Sequence, residues 1–586
     1  MTGQPPNGRI PTGQHFIGQP PADRPLRIGN FSGFYGDRFD ALAEMLAGGE
    51  LDVLTGDYLA ELTMLILGRD RAKDPRLGYA KTFLRQLEPC LGVALERGVR
   101  IVTNAGGLNP AGLAEALRTL AGRLGLAVRI GYVTGDDLSR DAGRLGFGEP
   151  LAANAYLGGW GIAACLRAGA DIVVTGRVTD ASLVVGPAAA YFGWSATDYD
   201  ALAGAVVAGH LIECGAQVTG GNYAFFTELA DLRRPGFPIA ELLADGSSVI
   251  TKHPDTGGAV TLGTVTAQLL YEITGGRYAG PDVTARLDRL RLCQDGPDRV
   301  RVSGARGEPP PPRYKVSLNS VEGFRNEVQF VLTGLQIERK AALVRAQLAE
   351  AVPADAEWTL RRTDQPDADT EAAASALLSC VVRGPDAERL GRRFSDAAVQ
   401  LALASYPGFH LTAPPGPAQP CGVFRAGYLD AEQLSQVAVL PDGTRQPVPA
   451  SPEHRVLTEL PEPAVPPWRP VVEPSRTRRV PLGALIGARS GDKGGSANLG
   501  LWVRDDAAYR WLVSTLTVPR LRELLPELAE LPITRYLLPT LLAVNFVADG
   551  LLGLGVAYAA RFDPQAKALG EWLRCRLIDV PEELLG

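Results

Sequence analysis

The stretch VRIVTNAGGLNPAGLAEAL (99–117) decides the fold. A short run of β-branched residues breaks at Asn104 into a glycine corner, and Pro110 then opens an amphipathic segment. Such a change of period, from a buried apolar run to a 3.6-residue pattern, predicts a strand feeding a helix. Four other units repeat the cadence: RIGNFSGFYGDRFD (27–40), LDVLTGDYLAEL (51–62), VRIGYVTGDDLS (128–139) and DIVVTGRVTDASLVVG (171–186). Strand–helix alternation gives an α/β fold with a mostly parallel open sheet and flanking helices. In such sheets ligands bind beyond the carboxyl ends of the strands. The five corners are therefore expected to share one rim and one small-molecule site.

The corners supply the candidate side chains. Gly106 and Gly107 permit close ligand approach, and Asn109 with Pro110 suits a capped helix start whose amides favour a phosphate or carboxylate. Asn104 precedes them, and Asn30 and Ser32 end the first unit. Arg177 could clamp an anion, with Thr179 beside it, while Asp57, Asp180 and Glu213 could move protons. Cys214 could exchange protons or attack a thioester carbonyl, although a buried, inert cysteine is the commoner case. A late loop, SGDKGGSANLG (490–500), adds Asp492, Lys493 and Asn498 and could reach across to the rim. Each residue alone is more often a turn or cap; their shared place after strands is what groups them.

Composition narrows the function classes. A chain of 586 residues holds more than one domain. With a net charge of −6 and no basic field, it is not expected to bind nucleic acid. Seven scattered cysteines without metal spacing read as reduced thiols of a cytoplasmic protein. Five histidines argue against a multi-histidine metal centre. No cofactor follows from the sequence, though carboxylates leave Mg2+ open. The apolar stretch 537–560 is interrupted by Pro539, Asn545 and Asp549, so buried strand and helix are expected there and not membrane insertion. Homo-oligomerisation is the general expectation for a soluble enzyme.

Texture divides the chain further. Residues 1–24, rich in Gly and Pro, read as a flexible tail, and 25–280 as the α/β core, with a helix expected at the start of PIAELLADGSSVITK (238–252). Alternating segments over 281–412 predict a β-rich α+β domain. Repeated proline over 413–480 predicts a linker or surface strap. Residues 481–580 read as a small α+β domain, with helices near 505–517, 519–529 and 564–574 and a strand suggested at 555–561.

Together the motifs resemble the acyclic terpene utilisation (AtuA) family. GNFSGFYGDR (29–38), LTGDYLAELTM (54–64), TNAGGLNP (103–110), VTGRVTDASLVVGPAAAYFGW (174–194), AGHLIECGAQVTGGNY (208–223), KHPDTGGAVTLGTVTAQLLYEI (252–273) and SGDKGGSANLG (490–500) carry the likeness. After YEI an acidic, proline-containing stretch would be expected, where this chain has TGGRYAGPDV (274–283). The resemblance implies a large amino-terminal core and a small ferredoxin-like carboxy-terminal domain. It also implies a role in breaking down citronellol- or geraniol-like terpenes and related branched acids, whose intermediates are CoA thioesters. It supplies no catalytic residues, so the site list rests on the corners. The expected function is a catabolic enzyme, a hydratase or lyase, acting on a branched acyl-CoA. The alternatives are a non-catalytic metabolite-binding or assembly subunit of an acyl-CoA catabolic complex and, more weakly, magnesium-dependent phosphoryl transfer without a recognised nucleotide loop.

Overall fold

The computed structural model describes residues 24–470 and 476–585. The expected tail, apart from Arg24, lies outside them. Contacts divide the described residues into two compact units: 24–318 with those of 425–553 and 565–585, and 319–424 with 554–564.

In the first unit the five predicted strands are β1 (Leu26–Ser32), β2 (Val53–Gly56), β3 (Arg100–Thr103), β4 (Ile130–Thr134) and, after a further strand β5 (Ala152–Ala155) that the sequence does not predict, β6 (Ile172–Val174). Five of them run parallel in the order β1–β2–β3–β6–β4 and form the centre of an eleven-stranded sheet. Alternate side chains serve opposite faces. Val53, Val102 and Val173 pack with the helices Trp160–Arg167, Ser182–Phe192 and Tyr199–Ile212. Leu54, Ile101 and Val174 pack with Ala41–Gly48, Lys81–Leu87 and Pro110–Leu124. Both faces being covered, these strands read as continuous apolar runs. The fold is α/β, as the sequence predicts.

The sheet is mixed, because antiparallel strands extend both edges. Pro238–Leu242, where a helix is expected, is instead a strand, pairing antiparallel with β1 and, through a turn at Asp245–Gly246, with Ser248–Lys252. All five residues of Pro238–Leu242 are buried, so sheet pairing outweighs the local helix preference of Ala-Glu-Leu-Leu. Val300–Ser303 and Arg291–Gln294, from the segment 281–412, continue this edge. Val437–Val439 and Arg445–Pro447, from the proline-rich segment 413–480, complete the other.

The same unit holds a four-stranded antiparallel sheet of Gly487–Lys493, Ser496–Trp502, Ala543–Ala548 and Ile533–Leu538, in that order. Helices Asp506–Thr515, Val518–Leu524 and Leu569–Arg574 cover it, burying Leu499, Leu512, Phe546 and Leu573. The strand suggested at 555–561 does not form. Gly550, Gly553 and Gly555 adopt positive φ there and break the chain into turns. Among the described residues no helix is long and apolar enough to cross a membrane.

The second unit pairs the long strand portion 324–333 with Ser375–Gly384, and that strand with Glu357–Arg361. Helices Ile337–Leu348 and Phe394–Gln400 contribute Val344, Leu348 and Phe394 to a core around Phe330, Leu378 and Cys380.

Candidate functional site

Parallel strands end on the same side, so their corners become neighbours there. Hydrogen bonds tie them together. The Asn104 amide accepts from Tyr58 N–H at 2.8 Å and donates to Asp57 Oδ1 at 2.6 Å, joining the corners after β3 and β2. Ser32 Oγ donates to Asp57 O at 3.0 Å, bringing in the corner after β1. Arg177, after β6, donates from Nη1 to Leu59 O at 2.7 Å, and its own N–H donates to Asp136 Oδ2, after β4, at 2.8 Å. Arg177 Nη2 lies 3.0 Å from Asp180 Oδ1. The five corners thus meet at one rim.

Carboxyl groups crowd round the buried Arg177. Burial pushes Asp57 well up, and Asp180 adds to it, against the opposing pull of Arg177 and Asn104. Glu213, at the end of helix Tyr199–Ile212, is raised in the same way by burial and then by Asp180 and Glu272. Burial lowers His210 to about 4, so its Nδ1, 3.3 Å from Glu213 Oε1, meets that carboxyl as a neutral ring. The contact is therefore not an ion pair, and both ring nitrogens are buried without a hydrogen-bond partner among the described residues. Arg177 Nε and Glu213 Oε2 are buried without a hydrogen-bond partner among the described residues. Such orphans are rare in folded proteins and here mark room for a polar ligand or water.

Residues without a corner signal complete the rim. Glu61 opens helix Glu61–Lys73, its Oε1 4.0 Å from Lys315 Nζ. Burial alone would raise Glu61, but Lys315 and Arg177 bring it below the usual glutamate range. Arg177 and Lys315 stand over the Tyr156 ring at 4.3 and 4.9 Å. The hairpin after Gly487–Lys493 reaches the same place: Lys493 Nζ lies 5.7 Å from the Tyr278 ring centroid. Asp492 is pushed to about 7 by burial, with Glu272 and Glu61 adding to it. Asp180, Glu61 and Lys315 keep 25, 27 and 29 % of their side chains accessible. They stay partly open to solvent and do not fill a core.

The sequence-derived candidates separate accordingly. Asp57, Asp180, Glu213, Cys214, Asn104, Arg177, Asp492 and Lys493 come together. Asn30 donates to Ser32 O, and Ser32 in turn shapes its corner. Asn109 caps helix Pro110–Leu124 by accepting from Gly112 N–H at 2.9 Å. The amides of Gly107 and Asn109 are taken up by Asn104 O and Gly106 O, which closes a turn where an anion cradle was expected. At Gly106 a Cβ would overlap Thr175 O, so this glycine serves the packing of two corners. Thr179 pairs with Ser182 Oγ, and Asn498 grips main chain at 270–272. Burial raises the Cys214 thiol well above its usual range, with Glu213 and Glu272 adding to it, which opposes the thiolate a nucleophile needs. Glu61 and Glu272 lie inside quoted motifs, whereas Tyr156 and Lys315 carry no signal of their own. Among the described residues no group of three or more His, Cys, Asp or Glu is arranged to hold a metal ion, so the Mg2+ candidate has no ligand set there.

Asp136 gives the rim a pH signature. It accepts from Arg177 N–H and, at 2.9 Å, from Asn154 Nδ2, yet burial pushes it to about 7. Its folded value lies above its unfolded value near 4, so the fold favours the protonated form. Ionisation between about pH 4 and about 7 removes stability. Asp136→Asn is therefore expected to gain in melting temperature on the native protein as pH rises through that window, with the gap constant above it. Melts in parallel from acid to neutral pH check this; a gap that does not change with pH would contradict it.

A family model described as acyclic terpene utilisation family protein AtuA matches residues 26–440. A second, described as AtuA ferredoxin-like domain, matches residues 480–579 and so covers the four-stranded sheet. No curated protein and no solved structure matches the chain.

Proposed function

The chain belongs to the acyclic terpene utilisation (AtuA) family, and from that premise we propose that it is a catabolic enzyme acting on a branched or acyclic-terpenoid acyl-CoA by adding or removing water. The observation that supports this reading is the pair of buried acids, Asp57 and Glu213, both raised well above the usual carboxylate range by burial and by Asp180, close to the Arg177–Asp180 ion pair. Hydration of an α,β-unsaturated thioester needs a base that takes a proton from water, an acid that delivers one to the α carbon, and cations for the developing enolate. Asp180 takes the proton as the water oxygen bonds to the β carbon. Asp57 or Glu213 gives its proton to the α carbon, so one carboxyl gains what another loses. Arg177 and Lys493 face the thioester oxygen. Elimination runs the same steps backwards.

The test incubates the purified full-length protein with branched enoyl-CoA and hydroxyacyl-CoA thioesters and follows the thioester by mass. Gain or loss of one water that depends on Asp57 and Arg177 supports the reading. Absence of both turnover and ligand-induced thermal stabilisation across the series overturns it.

A further inference from the structure

Glu272 follows helix Leu262–Leu269 with φ of 57°, a left-handed conformation that residues with a side chain seldom adopt. Glycine would take it at no steric cost. Instead a glutamate is kept, and a neighbouring sheet is shaped to keep it there. Asn498 Oδ1 accepts from Glu272 N–H at 2.8 Å, and its Nδ2 donates to Leu270 O at 2.9 Å. Asn545, on the adjoining strand, donates to Ile273 O at 3.3 Å and accepts from Asn498 at 2.5 Å. Both asparagines are essentially fully buried, and a buried amide is tolerated only when so used. At Gly500 a Cβ would press on Leu270, and at Gly491 on the Tyr271 ring, so the sheet face is cut to seat this turn.

The carboxyl held this way stands among the site's proton-bearing groups. It lies within electrostatic reach of His210, Glu213 and Cys214 from helix Tyr199–Ile212 and its end, and of Asp492 from the carboxy-terminal hairpin. It also acts electrostatically on the phenol of Tyr271, whose Oη accepts from Lys567 Nζ at 3.1 Å. We infer that Glu272 is a further positioning residue of this site, presented in a left-handed turn by Asn498 and Asn545, through which the carboxy-terminal sheet completes the group of acids around Glu213 and Cys214, next to a helix whose Gln268 donates to His210 O at 3.0 Å. Strain kept at a charged residue beside a cluster of acids is the mark of a function. The inference deepens the proposed reading by assigning the carboxy-terminal segment a part in the site, yet its test needs no substrate.

Cys214 is the reporter. It is partly accessible, with Glu213, Glu272 and Asp57 within electrostatic reach. Iodoacetamide labelling of the full chain is followed against pH by peptide mass, with the exposed Cys293 and Cys575 as internal references. Glu272→Gln is expected to move the Cys214 midpoint down by about one pH unit while the references stay fixed. Glu272→Gly should shift it equally with no loss of melting temperature, since glycine relieves the turn. Asn498→Ala should shift it in the same direction by releasing the carboxyl; if that variant does not fold, Asn545→Ala loosens the same turn. A Cys214 profile unchanged in Glu272→Gln overturns the inference. So does a shift in Glu272→Gln that the folded asparagine variant lacks, because the sheet would then not position the carboxyl. Loss of hydratase activity in any variant bears on the proposed function and not on this result.

Discussion

Asp57→Asn is expected to leave the protein folded and to lower turnover of the proposed acyl-CoA substrate by about 10²–10⁴-fold, the usual size of a positioned proton donor's contribution. An amide at this position still accepts from Leu59 N–H, as the carboxyl does at 3.1 Å, but has no acidic proton to deliver. The loss should appear in kcat with little change in KM, since the group acts on the reacting carbon and not on the CoA portion. Stability should move the other way. The carboxyl's folded value lies above its unfolded value, so the native protein loses stability on ionisation as pH rises from about 4, whereas the amide does not. Kinetics and melts on the same preparation check both. Turnover within about threefold of the native rate would remove Asp57 from the proton-transfer role.

Arg177→Met is expected to cost about 3–5 kcal/mol of folding free energy, the range for breaking a buried charge pair from one side. The guanidinium is buried, holds Leu59 O and Asp180, and offsets the crowding of Asp57, Asp180 and Glu213. Without it the acids must take up protons or part. The deficit should therefore be larger at pH 8 than at pH 5. Denaturant titrations at the two pH values measure it. A loss below about 1 kcal/mol at both would mean that Arg177 is a surface-like pair despite its burial.

Much of this site is legible in the sequence because a parallel sheet turns a linear cadence into a spatial one. Asn104, Asp57 and Arg177 are far apart in the chain, but each follows a strand, and strand ends in such a sheet share a side. The misreading at Gly106 and Gly107 has a physical reason. Glycine at a strand–helix corner serves close packing as readily as ligand approach, and which one applies depends on where the amides point. The strand at Pro238–Leu242 was hidden because Ala-Glu-Leu-Leu favours a helix, whereas the Asp-Gly turn signal at 245–246 and burial on both faces favour a hairpin. Lys315 and Tyr156 could not be found at all. Tyr156 follows the strand Ala152–Ala155, which the sequence does not predict, Lys315 lies in a segment without a glycine corner, and the two are joined by the pairing of Tyr156 N–H with Lys315 O at 2.9 Å. Glu272 stood inside a recognisable motif, but nothing in YEI marks a left-handed turn.

The proposed chemistry requires that the ligand sit at the meeting place of the five corners. A structure with a non-reactive branched acyl-CoA analogue tests that most directly. The account predicts the thioester oxygen beside Arg177 and Lys493, with the α carbon within about 4 Å of the Asp57 or Glu213 carboxyl. An analogue seated instead in the separate recess lined by Phe192, Trp194, Tyr199 and Asp245, with the Arg177 rim empty, would contradict it.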